Sequence, residues 1–381
     1  MKKKYGWREL LFDVHLWLGL GSGIVIVLLC FTGFILALQP VLKASTNKEV
    51  HYRTTPEATI LPLEQMVAQI TDKTAASALE IPADPKLNWK LYEGRNAIYI
   101  DPATGETLGQ EGAFLDSLYR TSFRLHRWLL LDSSIGRPIT GVATLFFLVI
   151  LISGLILWFQ KCWGKWRRGL SLKRKVGWKR LNYDLHLVLG FYTLIPLFIM
   201  GFSGLFWSNQ PIFNRVVYAV LDQTSPPERG GRQNRRRGGQ DEQIRNYQLP
   251  YSQILASVSP ADSTGNIRID FPAQGDKTLS VSVTKPAGFW SVPGRDRYTV
   301  DSTSGEIVES DLFADKTRAE KFLSQIKAIH IGEVWGNFSL VLYLIASFLG
   351  TTLPITGMVM WWNRVGRRWW RTKRDSLSTG R

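Results

Sequence analysis

The chain has 381 residues, which is enough for two or three domains. Its formal net charge of +16 would suit a nucleic-acid-binding protein, but the basic residues cluster beside apolar segments, which argues against that class. The mean hydropathy near zero averages these apolar segments with long polar ones, so it does not indicate a soluble protein.

Four apolar segments follow one another along the chain. Each has more than twenty residues and no Asp, Glu, Lys or Arg: 14–38, 139–160, 185–207 and 338–362. A helix of about 20 apolar residues crosses the roughly 30 Å hydrocarbon core of a bilayer, so the sequence predicts four transmembrane helices. The first is too long for the apolar region of a signal peptide, and we interpret it as a retained helix.

Three basic clusters abut the ends of these helices. Residues 161–180 hold nine Lys or Arg and no acid, residues 363–381 hold seven against one Asp, and the first eight residues hold four. Loops rich in Lys and Arg stay in the cytoplasm. We therefore predict cytoplasmic termini and a cytoplasmic central loop, with the two long segments 39–138 and 209–337 on the far side.

An internal duplication is visible at an offset of 171 residues. The matched positions are Gly6-Trp7 with Gly177-Trp178, Asp13 with Asp184, His15 with His186, Gly19 with Gly190, Phe31-Thr32-Gly33 with Phe202-Ser203-Gly204, and Gln39-Pro40 with Gln210-Pro211. Helices one and three are therefore repeats that run in the same direction. A pseudo-twofold axis along the membrane normal should relate them.

The even helices match less strictly. Ile152-Ser153-Gly154 resembles Ile355-Thr356-Gly357, and Leu125-His126 upstream aligns with Ile329-His330. Four of the five histidines of the chain thus form two matched pairs.

The two long polar segments also correspond. Each begins with a predicted helix, 61–70 and 250–257, and continues as short strands that include a related hairpin, 99–106 and 298–306. Asp and Gly at these spacings fit tight turns between strands. The predicted fold class is an α+β membrane protein, a four-helix transmembrane bundle with two small α+β domains that form the walls of a cleft.

The matched histidines predict two metal-binding pairs. His15 and His186 lie near the cytoplasmic ends of the odd helices, and His126 and His330 lie before the even helices, near the opposite face. A twofold axis would bring each pair together, and two facing neutral imidazoles in a helix bundle make a bis-histidine haem site. The alternative is that all four are solvated at the headgroups, which repeated placement disfavours.

Two smaller features accompany the first pair. Gly19 and Gly190 lie one turn after the histidines, where they either make room for a flat macrocycle or serve close helix packing. Asp13 and Asp184 lie two residues before the histidines, a spacing that does not face them on a helix. For both aspartates we favour an interfacial salt-bridge or capping role.

The Asp-x-His-x-x-x-Gly helix openings, the Asp-x-x-Thr/Ser-Gly-Glu hairpins and the Ser/Thr-Gly…Trp helix closings resemble the PepSY-associated transmembrane family over essentially the whole chain. The resemblance implies a multi-pass protein of the bacterial inner membrane with periplasmic PepSY-like domains. Relatives include ferric-siderophore reductases that carry haem. The flavoprotein reductase domain of some relatives is missing from this sequence, and no nicotinamide-binding motif stands out.

The predicted organisation divides the chain into eight parts. They are the N-terminus and first helix (1–40), the first periplasmic domain (41–125), the second helix with its preceding segment (126–162), a basic loop (163–182), the third helix (183–210), the second periplasmic domain with an Arg/Gly-rich loop at 228–239 (211–329), the fourth helix (330–363) and a basic tail (364–381).

The leading functional hypothesis is an oxidoreductase with two haem b groups that reduces a periplasmic ferric siderophore. A quinol or a separate flavoprotein would donate the electrons, and membrane lipid, not nucleic acid, is the other expected partner. Arg124 and Arg127 adjoin His126 and are candidate contacts for the chelate oxygens, although headgroup anchoring explains them equally well. The alternative is a haem-free membrane module whose periplasmic domains bind or regulate a partner protein.

Overall fold

The computed structural model describes residues 6–46, 48–71, 76–94, 96–110, 113–173, 175–226, 245–258, 265–284 and 294–366. The predicted Arg/Gly-rich loop and most of the predicted basic tail lie outside these ranges.

Eleven α-helices, one π-helical turn and eight strands make up the described part of the chain. In order they are α1 (Trp7–Thr46), α2 (Lys48–His51), α3 (Leu63–Thr71), β1 (Ala78–Ile81), β2 (Trp89–Glu93), β3 (Asn96–Ile100), β4 (Thr107–Gln110), α4 (Ala113–Trp128), α5 (Ser133–Cys162), α6 (Trp166–Gly169), α7 (Trp178–Ser208), α8 (Gln210–Leu221), α9 (Tyr251–Val258), β5 (Asn266–Asp270), β6 (Thr278–Thr284), β7 (Arg295–Asp301), β8 (Ile307–Asp311), α10 (Arg318–Ile331), α11 (Gly336–Trp361) and the π-helical turn (Trp362–Gly366).

Four of these helices are long and apolar enough to cross a membrane, as predicted. Within the described residues the candidate spans are Trp7–Leu42, Ser133–Cys162, Trp178–Ser208 and Gly336–Val365. Helices α1 and α7 each pack against both α5 and α11. The bundle is therefore square in cross-section, with α1 and α7 at diagonally opposite corners.

Two shorter helices flank the bundle. Helix α4 packs against α1 and α5, and α10 packs against α7 and α8. Helix α10 begins with a capping box, in which Thr317 and Glu320 satisfy each other's backbone N–H groups, and ends at Gly332 with φ of 79°. A Cβ atom on Gly332 would lie 2.9 Å from the ring of Tyr343, so this glycine leaves room for that ring at the end of α10.

The strands of both polar segments form one sheet. Its order is β4-β3-β2-β1-β5-β6-β7-β8, and every neighbouring pair is antiparallel. Strands β1 and β5 join the two halves, with Leu79 opposite Ile269. The sequence predicted two separate domains around a cleft, whereas the structure joins them because the edge strand of each half pairs with that of the other.

One hydrophobic core extends across both halves of the sheet. Met66 and Ile70 of α3 and Tyr251 and Ile254 of α9 pack on the face that carries Leu79, and all five are at most 1 % exposed. Each large apolar side chain that is fully buried stabilises the fold by roughly 1.5–3 kcal/mol. Because α3 and α9 come from opposite halves, the two predicted domains share this core.

The two predicted hairpins connect β3 to β4 and β7 to β8. Asp101 accepts a hydrogen bond from the Ala103 N–H at 2.8 Å, and Asp301 accepts one from the Thr303 N–H at 2.8 Å. Gly105 and Gly305 close the turns at φ of 73° and 74°, a conformation that glycine adopts without steric cost.

Several predicted boundaries fall inside helices. Helix α1 continues to Thr46, six residues beyond the predicted end at residue 40. The boundaries at 125/126 and 329/330 lie within α4 and α10, and those at 182/183 and 210/211 lie within α7 and α8. The predictions followed hydropathy, whereas these helices continue through polar sequence outside the spans.

Candidate functional site

The structure brings His15 and His186 together across the bundle. His15 lies in α1 and His186 in α7, at the diagonal corners, and their ring centroids are 6.3 Å apart with an interplanar angle of 88°. Both side chains are half-buried. The two imidazoles are therefore neighbours across the bundle, with their ring planes nearly perpendicular.

His126 and His330 form an equivalent pair at the other end of the bundle. They lie near the C-terminal ends of α4 and α10, and their ring centroids are 6.2 Å apart with an interplanar angle of 61°. The ring of Trp207 packs against His330 at 5.0 Å. Both sequence-predicted pairs are thus spatial neighbours.

All four histidines are held in the same way. The Nδ1 atom of each lies close to a serine or threonine hydroxyl on a neighbouring helix and to the backbone carbonyl three residues earlier on that helix. The hydroxyls and carbonyls are Ser153 and Ile150 for His15, Thr32 and Leu29 for His126, Thr356 and Leu353 for His186, and Ser203 and Met200 for His330.

These contacts define the protonation of each ring. The distance from His186 Nδ1 to the Leu353 carbonyl oxygen is 3.1 Å, and that from His330 Nδ1 to the Met200 carbonyl oxygen is 2.9 Å. A carbonyl oxygen only accepts, so Nδ1 carries the proton. In a neutral imidazole the lone pair is then on Nε2. A metal-binding histidine typically donates its second N–H to a carbonyl in this manner.

The second pair is held in the neutral form. Burial lowers the pKa of His126 and of His330 to about 4, and the charge of His126 adds to the shift at His330. Both imidazoles are therefore unprotonated on Nε2 at pH 7, which is the state that binds metals.

A glycine follows each of the four hydroxyl residues and packs against the histidine ring. Cβ atoms built on these glycines would lie 3.0–3.4 Å from the Cε1 atom of the imidazole: Gly154 against His15, Gly33 against His126, Gly357 against His186 and Gly204 against His330. The Ser/Thr-Gly pair thus orients the ring with its hydroxyl and makes room for it with its glycine. We call these four pairs the histidine cradles.

A cavity of about 890 Å³ surrounds His15 and His186, and we call it the histidine cavity. Gly19 and Gly190 line it, with no atom within 4 Å of a Cβ on Gly19 and only Leu353, at 3.9 Å, near one on Gly190. These two glycines therefore border open space and not a tight helix contact. Three basic side chains also line the cavity: Lys161, Lys179 and Arg364.

A sequence model of the PepSY-associated TM region matches residues 12–364. The chain belongs to this family. The matched range contains both histidine pairs and all four cradles, so the geometry described above lies within the PepSY-associated region. A comparison with curated proteins found no match.

The two arginines predicted as substrate contacts, Arg124 and Arg127, differ in their exposure to solvent. Arg124 is exposed, whereas Arg127 is half-buried and its guanidinium lies 5.8 Å from the Phe123 ring and 5.5 Å from the Trp128 ring. Desolvation and the nearby charge of Arg137 lower the pKa of Arg127. Among the described residues the buried Arg127 Nε has no hydrogen-bond partner, so Arg127 is the better candidate of the two to contact an anionic ligand.

Asp184 has the salt-bridge role that its spacing predicted. Its buried carboxylate lies 2.9 Å from Arg180 Nε, one turn earlier on α7. Nearby, Asn182 donates a hydrogen bond to the Thr356 carbonyl at 3.0 Å. This bond fixes α7 to α11 beside the cradle of His186. Asp13, the matched residue in α1, lines the histidine cavity.

Sequence reasoning missed the role of the cradles. All four Ser/Thr-Gly pairs were recognised as evidence for the duplication, but none was connected to a histidine. One signal in the sequence could have revealed this role. The number of these Ser/Thr-Gly pairs, four, equals the number of paired histidines, and all of them lie within the matched family region.

Proposed function

We propose that the chain is a di-haem oxidoreductase that carries electrons through the membrane to a ferric siderophore on the periplasmic side. The observation that carries the proposal is the pair of facing imidazoles at each end of the bundle, with Nδ1 of every ring hydrogen-bonded and Nε2 left to bind a metal.

The spacing of the rings fits coordination from opposite sides of one ion. Two imidazoles that bind a metal at about 2 Å in a straight line have centroids roughly 6 Å apart, and the two pairs measure 6.3 and 6.2 Å. Within the described residues, no group of three or more His, Cys, Asp or Glu side chains could hold a bare metal ion. Each pair thus offers two ligands, the number that a bis-histidine haem takes from a protein.

Other residues near His15 and His186 would also accommodate a haem. Gly19 and Gly190 border the open part of the histidine cavity, and Lys161, Lys179 and Arg364 offer cations to the carboxylates of a haem. A bound haem supplies one-electron chemistry, and its potential depends on axial ligands and on the hydrogen bonds that those ligands make. The cradles hold the imidazoles in the required tautomer.

The two pairs lie at opposite ends of the bundle. Helix α1 carries His15 near its start and the Thr32 hydroxyl that contacts His126 seventeen residues later, a rise of roughly 25 Å. That distance is close to the roughly 30 Å thickness of the hydrocarbon core. Electrons can therefore enter at one surface and leave at the other.

The distribution of Lys and Arg supports a periplasmic location for the end of the bundle that carries His126, His330 and Arg127. Electrons would leave the protein at this end. A ferric siderophore is too polar to enter the bilayer, so it must be reduced at this edge. Reduction to Fe(II) weakens binding by hard oxygen chelators and releases the iron. The charge of Arg127 would attract an anionic chelate.

The visible spectrum of the purified protein tests the proposal. We expect a Soret band and sharp α and β bands on reduction, with two haem b groups per chain. A folded but colourless protein, prepared from cells with an ample haem supply, would sink the proposal in favour of a haem-free module. The substrate step is tested separately, with a ferric siderophore as oxidant.

A further inference from the structure

A second pocket lies beside the histidine cavity, between the start of α7 and the end of α11. It has a volume of about 900 Å³ and is mostly apolar, and we call it the lateral pocket. Its lining residues are Gly177, Trp178, Lys179, Arg180, Met358, Val359, Trp361, Trp362 and Asn363. Sites for small molecules have volumes of about 300–1,000 Å³, so the pocket suits a molecule of that size.

The lateral pocket borders the histidine cavity directly. Lys179, Met358, Trp361 and Asn363 line both of them. A molecule in the lateral pocket is therefore separated from the surroundings of His15 and His186 by single side chains. This continuity distinguishes the pocket from an ordinary groove on a membrane helix.

The position of the pocket indicates access from the bilayer. It lies where the candidate span Trp178–Ser208 begins and the span Gly336–Val365 ends, and the rims include Trp178 and Trp362, which are 65 % and 46 % exposed. Tryptophan at the ends of spans is typical of the membrane–water interface. An apolar molecule can therefore enter sideways while its polar groups reach Lys179, Arg180 and Asn363.

The π-helical turn shapes this end of α11. Trp362 and Asn363 belong to the turn and line the lateral pocket, while Arg364, which also belongs to it, lines the histidine cavity with its guanidinium 5.2 Å from the Phe12 ring. Short π-helical turns are frequent at functional sites. The C-terminal end of α5, which also ends a span, closes at the ordinary cap residue Trp163, so the two halves differ at this point.

We infer that the lateral pocket binds a membrane quinol, which is the electron donor of the protein. The inference rests on the proposed function, which left the donor open. A quinol joins an apolar ring, which suits the three tryptophans, to two hydroxyl groups, which suit the polar end of the pocket. A flavoprotein donor would instead need a broad docking face, since its flavin stays within its own pocket.

The reaction balances with the ferric chelate as the oxidant. A quinol loses two electrons and two protons as both O–H bonds break, and it becomes a quinone. The electrons pass one at a time towards His15 and His186 and onward to two ferric ions, each reduced to Fe(II). The protons leave to the water at the polar end of the pocket, beside Lys179 and Arg180.

Binding is measured first, because it does not depend on haem. Quinones quench tryptophan fluorescence, so a short-chain quinone should quench the purified protein with a saturable curve. Gly177→Phe fills the pocket, since a Cβ there has no atom within 4 Å and φ is −65°. We expect it to weaken quinone binding at least about tenfold, a loss of about 1.4 kcal/mol of binding free energy, because the ring would occupy the site. Trp362→Ala should also weaken binding by removing one wall.

The matched control is Gly6→Phe. Gly6 is the counterpart of Gly177 in the first half, and a Cβ there would meet only the flexible carboxylate of Glu9. It should bind quinone as the wild type does. Unchanged binding in both Gly177→Phe and Trp362→Ala would overturn the inference.

Haem reduction is measured second, under anaerobic conditions. Gly177→Phe should slow reduction by a short-chain quinol at least about tenfold, in line with its binding defect, while dithionite should reduce it at the wild-type rate. If quinol reduces the variant as fast as the wild type, the lateral pocket is not the entry site. A haem-free protein that still binds quinone in this pattern would refute the proposed function and support the pocket assignment.

Discussion

The imidazole of His15 packs directly on Gly154, where a Cβ atom would lie 3.0 Å from the Cε1 atom of the ring. The preceding residue, Ser153, has its hydroxyl 3.0 Å from Nδ1 of the same ring. Two successive residues of α5 therefore set the distance and the rotation of one imidazole on α1.

This packing predicts that Gly154→Ala displaces the ring. Extra methyl groups in tight contacts cost about 1–3 kcal/mol, and the imidazole must tilt away from its partner. We expect loss of the haem held by His15 and His186 and retention of the other, measured by the pyridine haemochrome assay and by the reduced α bands. Gly21→Ala, on α1 with no atom within 4 Å of the new Cβ, should retain both haems.

Removal of the histidines tests the pairing itself. His15→Ala and His186→Ala should each leave about half the haem of the wild type, because bis-histidine coordination needs both rings. His126→Ala and His330→Ala should remove the other half, with a different α band. His51→Ala is the control, since His51 packs against Tyr99 with ring centroids 4.6 Å apart and belongs to neither pair. Full haem content in all four variants would contradict the assignment.

The open space beside Gly19 predicts that a larger side chain at this position prevents haem binding without destabilising the protein. The leucine of Gly19→Leu would project into the histidine cavity. It would occupy space that a haem macrocycle needs, and its Cβ would clash with no protein atom. We expect the first haem to be lost while the melting temperature of the haem-free protein, measured by thermal unfolding, stays close to that of the wild type. Gly21→Leu, which does not line the cavity, should leave the haem content unchanged. Retention of both haems in Gly19→Leu would mean that this side of the cavity stays empty.

The pairing of the histidines was predictable from the sequence because His15 and His186 match at one offset. A twofold axis between the two predicted repeats would bring these residues together. The contact between Thr32 and His126 was not predictable in this way. It joins α1 to α4, which are not equivalent, and its register depends on how deeply α4 packs against the bundle.

The continuous sheet is a second feature that the sequence did not predict. Each half contributes short antiparallel strands that include a hairpin, as the sequence predicted. The pairing of Leu79 with Ile269 across the two halves leaves no local signal, because an edge strand and an inner strand with one buried face have similar sequences. The two halves are therefore joined where two separate domains were predicted, while the hairpins at Asp101 and Asp301 were confirmed, because Asp and Gly define tight turns locally.

Orientation in the membrane remains a prediction from charge. Reporter fusions after Arg95 and after Lys277 should behave as exported, and one after Lys173 should behave as cytoplasmic. The physical reason is the concentration of Lys and Arg at 161–180, which resists translocation. The opposite pattern would reverse the proposed direction of electron flow and would put the lateral pocket at the periplasmic surface.

The exit of electrons to the substrate is tested with the reduced protein. Anaerobic, dithionite-reduced protein from which excess dithionite has been removed should be reoxidised by a ferric siderophore, and ferrozine should trap the Fe(II). Arg127→Gln removes the half-buried charge and keeps much of the side-chain volume. We expect a several-fold slower reaction with an anionic chelate, in proportion to a loss of about 1 kcal/mol, and little change with a neutral one. Arg124→Gln, at the exposed neighbour, should have a smaller effect.

His330→Ala then decides where the reaction takes place. The variant should retain the haem at His15 and His186 and accept electrons there, because those ligands are at the other end of the bundle. Reoxidation by the ferric siderophore should be at least about tenfold slower, an increase of about 1.4 kcal/mol in the rate-limiting barrier, because electrons must then cross the gap that the second pair bridges. His51→Ala should react at the wild-type rate. If His330→Ala also does so, electrons leave the protein without the second pair, and the periplasmic edge is not the site of siderophore reduction.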